Sequence, residues 1–268
     1  RRVEFIWESV AELKAQLQAS GGDLIVRHAH ARDAIPALAA ELKVEAVFTN
    51  EDYEPAAVAR DAQVQGALDA RGIAFQAFKD TVIFAKDEIL TQMGGTYSIF
   101  TPYKNAWLKK LDDFYLKPYP VEHYGRHLAK PPRPVALPAL EEMGFARTNL
   151  KALGIEAGAS GARKLLADFV PRMDQYKAAR DFPAVKGVSY LSVHNRFGTV
   201  SVRELAAIAY AETLRGKNIG AETWLAELIW RDFYFQIIHH HPHAASSAFR
   251  PEHDAIRWPN EKALFEAW

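Results

Sequence analysis

Apolar and polar positions along the 268-residue chain fall into two regimes, one in which short β-type runs alternate with helical patterns and one that is helical throughout. In the first, Phe5, Val10, Leu13 and Leu17 lie close to helical spacing and predict a helix that starts with the opening residues. Leu24–His28 predicts a short strand, Ile35–Leu42 a helix, Val44–Thr49 a strand and Ala56–Ala70 a helix. Gly72 then interrupts the pattern before another strand over Ile73–Phe78. Strands alternating with helices of this length predict a parallel sheet covered on both faces. Three strands are few against the ~5–6 of an ordinary sheet, so more strands are expected ahead of Arg1.

Residues 117–162 change character. Pro118, Pro120, Pro131, Pro132, Pro134 and Pro138 are followed by Gly144, Gly154, Gly158 and Gly161 with little apolar periodicity, as in a partly extended connector. Helical patterns follow over Arg163–Ala178, Ser201–Leu214 and Ala221–His239, and a last helix starts near Asn260 and reaches Trp268 without a capping signal. The expected organisation is an α/β parallel-sheet (Rossmann-like) domain over 1–116, a linker over 117–162 and an all-α domain over 163–268, with both domains incomplete.

Composition narrows the function. Lys plus Arg and Asp plus Glu are both 33, so a surface for nucleic acid has to be local. The absence of Cys excludes disulfide scaffolds, thiolate metal sites and cysteine nucleophiles. With no apolar run of membrane-spanning length and no signal-peptide pattern, a cytoplasmic protein is expected.

The most informative stretch is Ala221-Glu-Thr-Trp-Leu-Ala-Glu-Leu-Ile-Trp-Arg-Asp-Phe-Tyr-Phe. On a helix, Trp224, Glu227 and Arg231 share one face with Trp230 beside it, while Leu225, Leu228, Ile229 and Phe233 form a separate apolar face. This predicts a polar-aromatic face lining a cavity; an amphipathic helix with core Trp residues and a Glu–Arg pair would give the same pattern. Ser189 and Ser192 precede a helical turn and Thr199 and Ser201 precede the next helix, where hydroxyls and free N–H groups either cap or hold phosphate. His239, His240, His241 and His243 lack metal-ligand spacing; charge at a helix C-terminus before Pro242 accounts for them, and no metal is expected.

In order along the chain, Thr49-Asn-Glu-Asp-Tyr-Glu-Pro with Arg60-Asp61, Phe78-Lys-Asp-Thr-Val-Ile-Phe, Phe100-Thr-Pro-Tyr-Lys-Asn-Ala-Trp-Leu-Lys, Arg180-Asp-Phe-Pro, Leu191-Ser, Arg196-Phe-Gly and Trp224-Leu-Ala-Glu-Leu-Ile-Trp-Arg-Asp-Phe-Tyr resemble the DNA photolyase/cryptochrome family. Within it they are most similar to the class I branch that repairs cyclobutane pyrimidine dimers. The resemblance implies an antenna domain followed by an FAD-binding domain, and light-driven repair of ultraviolet-damaged DNA by electron transfer from reduced FAD. It implies that Tyr176, Val188, Ser189, Tyr190, Leu191, Ser192 and Trp224 hold FAD. Arg180, Glu227, Trp230, Arg231 and Tyr234 would meet DNA, with Trp230 stacking on the flipped dimer and Glu227 bonding its base edge.

Glu227 points to cyclobutane dimers, since six-four photolyases tend to carry Gln at that position. The alternatives are a cryptochrome-like photoreceptor and an inactive fragment, because family members extend beyond both ends of this chain and their later helices carry the remaining flavin contacts. The chain alone is therefore expected to bind FAD poorly and to be aggregation-prone, and the full-length protein to be a monomer. A second, antenna chromophore is possible; Ala56, Ala57 and Val58 stand where folate-binding members have polar residues, so its identity stays open.

Overall fold

The computed structural model describes residues 1–268, the side chain of Glu122 excepted. The first half runs α1 (Arg2–Ala19), α2 (Ala31–Leu42), β1 (Ala46–Asn50), α3 (Pro55–Asp69), β2 (Ala74–Phe78), α4 (Phe100–Lys110) and α5 (Asp113–Leu116). The second half runs α6 (Gly158–Phe169), α7 (Tyr176–Ala179), α8 (Ser192–Phe197), α9 (Val202–Leu214), α10 (Ile219–His240) and α11 (Lys262–Ala267). This is the α/β unit followed by a helical unit that the apolar pattern predicts.

β1 and β2 pair in parallel, Ala46 opposite Ala74 through Asn50 opposite Phe78. The strand expected over 24–28 does not form. It has no ladder partner, and Lys14 holds its start by donating to Asp23 Oδ1 at 2.5 Å and to the Leu24 carbonyl at 2.8 Å. Nor is the sheet covered on both faces. Val47 and Phe75 pack on Ile35, Ala39, Val64 and Leu68 of α2 and α3, whereas Phe48 and Phe78 stack on each other on the opposite face, 64% and 53% exposed.

α1 belongs with the helical half instead of the sheet. Its polar residues grip the connector and the start of α6: Trp7 donates to the Pro138 carbonyl at 2.8 Å, the Thr148 N–H to Glu4 at 2.9 Å, the Gly158 N–H to Ser9 Oγ at 3.0 Å and the Ser160 N–H to Glu12 at 2.9 Å. A carboxylate at the first turn of α6 also suits the positive end of its dipole.

The helix predicted over 163–178 is interrupted. α6 ends at Phe169 and a 3₁₀ segment over Val170–Gln175 precedes α7, because Pro171 has no N–H to continue the α-helical ladder. The break lets α10 come close: a Cβ on Gly220 would lie 2.0 Å from the Met173 carbonyl oxygen, so only glycine fits there. Around this contact a buried cluster gathers Trp107 of α4, Phe169 of α6, Leu205 and Ala206 of α9, and Trp224 and Ile229 of α10. Each fully buried aliphatic side chain contributes roughly 1.5–3 kcal/mol, so this shared core dominates the helical half.

No helix of the described residues is long and apolar enough to cross a membrane. The bare sheet face leads to a prediction. Replacing Phe48 and Phe78 together by Thr keeps β propensity and removes the exposed rings. Static light scattering should show less self-association, with Tm moving by no more than about 5 °C; unchanged scattering would mean that this face does not drive association.

Candidate functional site

Successive residues of α10 go to different environments. Trp224 is buried and tilts against Phe169, ring centroids 4.8 Å apart, and Tyr176 meets the same Phe169 edge-on at 5.8 Å. Glu227 accepts from Arg180 Nη1. Arg231 turns toward the α/β unit, where it donates to the Thr81 carbonyl and lies 4.8 Å over the Phe235 ring. The single polar-aromatic face expected from Trp224, Glu227 and Arg231 is therefore divided: a core tryptophan, a carboxylate paired with α7, and an arginine committed to the seam between the units. The apolar set Leu225, Leu228, Ile229 and Phe233 is buried.

Trp230 stacks almost coplanar on Phe100, with centroids 3.6 Å apart and 7° between planes, and Tyr234 lies at 5.4 Å and 23°. Phe233 meets Trp230 edge-on at 5.5 Å. These four rings, with Ile99 and Phe249, line a cavity of about 790 Å³. Phe100 covers one face of the indole, a partner that the helical spacing of α10 could not reveal because it arrives from α4.

The expected flavin residues centre on the turn before α8. Gly187 sits so close to α7 that a Cβ would lie 2.5 Å from the Ala179 backbone. Tyr190 has a left-handed φ of 57°, which costs roughly 1–2 kcal/mol for a non-glycine residue. Leu191 anchors the turn in the cluster that holds Tyr176 and Trp224, and Val188 packs against that cluster. Ser189 stays half-buried, Tyr190 and Ser192 are exposed, and the Leu191 N–H donates to Ser189 Oγ at 3.4 Å.

Arg172 fixes the strand of chain leading in, donating to the carbonyls of Lys186 at 2.7 Å and Val188 at 2.9 Å. Lys186 and Arg172 together hold the Asp168 carboxyl below the ordinary range. The candidate N-caps resolve differently: Ser201 occupies the N-cap position of α9 without a side-chain bond, and Thr199 Oγ1 pairs with His194 Nδ1 at 2.7 Å.

A second, polar cleft of about 680 Å³ opens at the C-terminal ends of the two strands, lined by Asn50, Asp80, Thr81, Tyr119, Arg196 and Arg231 among others. Ala56 lines a smaller neighbouring cavity with Glu54, Tyr234 and Phe235. The histidine run closes α10, and burial holds the His239 and His241 imidazoles below their ordinary pKa. Among the described residues no group of three or more His, Asp or Glu is placed to hold a metal.

The residue that sequence reasoning missed is Asp232. Its Oδ2 accepts from the Ile83 N–H at 3.0 Å, the Phe84 N–H at 3.1 Å and Trp107 Nε1 at 3.0 Å, wholly inside the protein. Lys79 shapes the donor loop, bonding the Ile83 carbonyl at 2.8 Å and Glu88 at 2.6 Å. The signal was legible: Asp232 and Gln236 interrupt the apolar face that Leu225, Leu228 and Ile229 begin.

An α/β unit tied by its connector loop to a helical unit, with aromatic and acidic residues of one long helix at the junction, defines the class. The chain belongs to the DNA photolyase family. Residues 1–123 match the DNA photolyase model and residues 224–268 the FAD binding domain of DNA photolyase.

The deoxyribodipyrimidine photo-lyase of Halobacterium salinarum is 33% identical over 276 residues, a match that takes in 100% of this chain and 56% of that protein. That of Escherichia coli is 29% identical over 286 residues, with 100% and 57% covered. Among solved structures, a class III photolyase from Agrobacterium tumefaciens superposes with a TM-score of 0.84 at 23% identity, covering 98% of this chain and 55% of that one, and shows the shared fold. An archaeal photolyase from Sulfolobus tokodaii, solved with two FAD molecules, superposes at 0.71 with 26% identity, covering 100% and 55%. The chain thus spans little more than half the length of these relatives.

Burial pushes the Asp232 carboxyl up to about 6, against the three donors that favour its charged form. Its folded value exceeds its unfolded one of about 4, so its contribution to stability is full below pH 4 and is lost as pH rises toward 6. The loss is on the order of 3 kcal/mol. Asp232→Asn keeps an acceptor for the donors and cannot titrate, so denaturant melts at pH 4 and pH 7 should show the variant gaining on the native protein at the higher pH. Asp232→Ala strands three buried N–H groups and should cost about 3–5 kcal/mol at pH 4, with a smaller cost at pH 7, where the native carboxyl has lost its own contribution.

Proposed function

We propose that the chain supplies the antenna unit and the leading flavin-domain helices of a cytoplasmic enzyme that repairs cyclobutane pyrimidine dimers in ultraviolet-damaged DNA, driven by light. The observation that carries this reading is the aromatic cavity bounded by Phe100, Trp230, Phe233 and Tyr234, one helical turn from the Glu227 carboxylate. Its volume of about 790 Å³ is large enough for a pair of linked bases lifted out of a duplex, within the ~300–1,000 Å³ of small-molecule sites.

The proposed roles follow from where each side chain lies. Trp230, stiffened by Phe100 and half-buried in the cavity wall, offers π surface to the dimer. Glu227 offers a carboxylate oxygen to a base N–H. Arg231 faces the seam and supports the helix from behind; it is not assigned a DNA contact. The partly exposed Tyr234 ring completes the cavity wall.

For the cofactor, the residues present fit one end of FAD. The turn from Val188 to Ser192 presents two serine hydroxyls and a left-handed backbone over a rigid apolar base, and Tyr176 and Trp224 brace that base from below. This chemistry suits a dinucleotide's phosphates. Held there in its reduced form, FAD would supply the light-driven electron-transfer chemistry that repair of the dimer needs. A second light-harvesting group, of unassigned identity, has room in the polar cleft at the strand ends.

The test uses the full-length gene product. After flavin loading is confirmed from its visible spectrum, blue light should remove dimers from irradiated DNA and darkness should not. Full loading without repair would overturn the reading in favour of a light receptor. Trp230→Ala should weaken dark binding to dimer-containing duplex by about 5- to 150-fold, as expected for ~1–3 kcal/mol of lost stacking. A gel-shift titration measures it, and equal loss on undamaged duplex would argue against stacking on the lesion.

A further inference from the structure

We propose that His194 is a positioning residue for the flavin turn: as a neutral ring it pins α8 against α1 and α6, and its protonation in acid frees the turn and releases FAD. The inference rests on the assignment of residues 188–192 to FAD given above. Ser192 is the first residue of α8, and the Asn195 N–H donates to the Leu191 carbonyl at 2.8 Å, so the turn and the helix move together. His194 lies within that helix and is wholly buried.

Three other segments surround the ring. Phe5 of α1 meets it edge-on, with centroids 5.1 Å apart, and also packs on Phe197 at the end of α8. Gly198 takes a left-handed φ of 68° and turns the chain back toward the start of α9, so the Thr199 N–H donates to the His194 carbonyl at 3.0 Å and Thr199 Oγ1 reaches Nδ1 at 2.7 Å. α6 brings its Gly158 backbone close, and the Gly158 N–H is itself tied to Ser9 of α1.

The neutral ring suits this site and the charged one does not. Thr199 Oγ1 also donates to the His194 carbonyl at 3.5 Å, so its lone pair takes the Nδ1 proton and Nε2 is the unprotonated nitrogen. Nε2 has no hydrogen-bond partner among the described residues, so a second proton creates a buried N–H without an acceptor and a charge without water. Burial accordingly holds the imidazole below its ordinary range near 6.5. Glu12 of α1 favours the charge without bonding the ring, and it already accepts from Ser160. Arg196 of α8 pairs with Glu54 at 3.6 Å, and Arg203 of α9 donates to the Tyr115 carbonyl at 2.9 Å. The stability that the neutral contact contributes is therefore full above about pH 6.5 and is lost as pH falls below it, the reverse of Asp232.

The test follows FAD release from the full-length, flavin-loaded protein by fluorescence, with helix content read by circular dichroism. The native protein should hold FAD about tenfold more weakly at pH 5 than at pH 7 with its helix content unchanged, within the tenfold per pH unit that one proton allows. H194N keeps a donor for Thr199 and cannot titrate, so it should lose this pH dependence. T199V keeps the histidine and removes its partner, so it should weaken FAD binding at neutral pH as well. In the native protein, NMR of labelled histidine should show the His194 ring neutral until the flavin leaves. An acid loss in H194N equal to the native one, a ring that charges while FAD stays bound, or helix content lost together with the flavin overturns the proposal. FAD held by S189A/S192A as tightly as by the native protein at neutral pH would sink the assignment of the turn itself, a result separable from the others.

Discussion

One buried carboxylate holds the two halves of the molecule in register. Asp232 sits midway along α10 and gathers N–H groups from the loop after β2 and from the indole of α4, so three segments converge on a single oxygen. Removing a carboxylate from water is costly, and three hydrogen bonds offset much of that cost only when all three donors are in place. The geometry is therefore demanding: a shift of the loop after β2 or a rotated α10 leaves several polar groups buried without partners. Arg231, the adjacent residue, reinforces the same seam from the outside by bonding the Thr81 carbonyl.

Everything proposed for the site depends on this fixed rotation of α10. With Asp232 turned inward and Trp224 in the core, Glu227 is left toward α7 and Trp230 toward α4. The aromatic cavity and the acidic reader thus lie on neighbouring sectors of one helix whose orientation is set by a contact to the other unit. The left-handed turn at Tyr190 is held in a comparable way, by Arg172 on one side and by the close approach of Gly187 to α7 on the other.

The regular elements were largely legible from the sequence because apolar periodicity reports local burial: Ile73–Phe78 and Ile35–Leu42 lie in or over elements that formed, and Ala221–His239 falls within α10. The strand over Leu24–His28 was not, since a strand exists only through a neighbour and an apolar run says nothing about whether one is beside it. The division of the Trp224, Glu227 and Arg231 stripe was hidden for a related reason. Helical spacing places side chains on a face, but the partners Arg180, Thr81 and Phe100 come from segments far away in the chain. Asp232 was visible as an acid within an apolar stripe, and only its three donors were beyond reach.

The hydrogen bonds to Asp232 join residues 125 to 149 positions apart. Closing loops of that length costs chain entropy before any contact offsets it, whereas the β1–α3–β2 crossover and the α9–α10 pair close over short connections. Local pairs are therefore expected to close first and the carboxylate to be enclosed last. An interaction formed that late is absent from the folding barrier and governs the rate of coming apart. The seam thus sets how long the two halves, once docked, stay together.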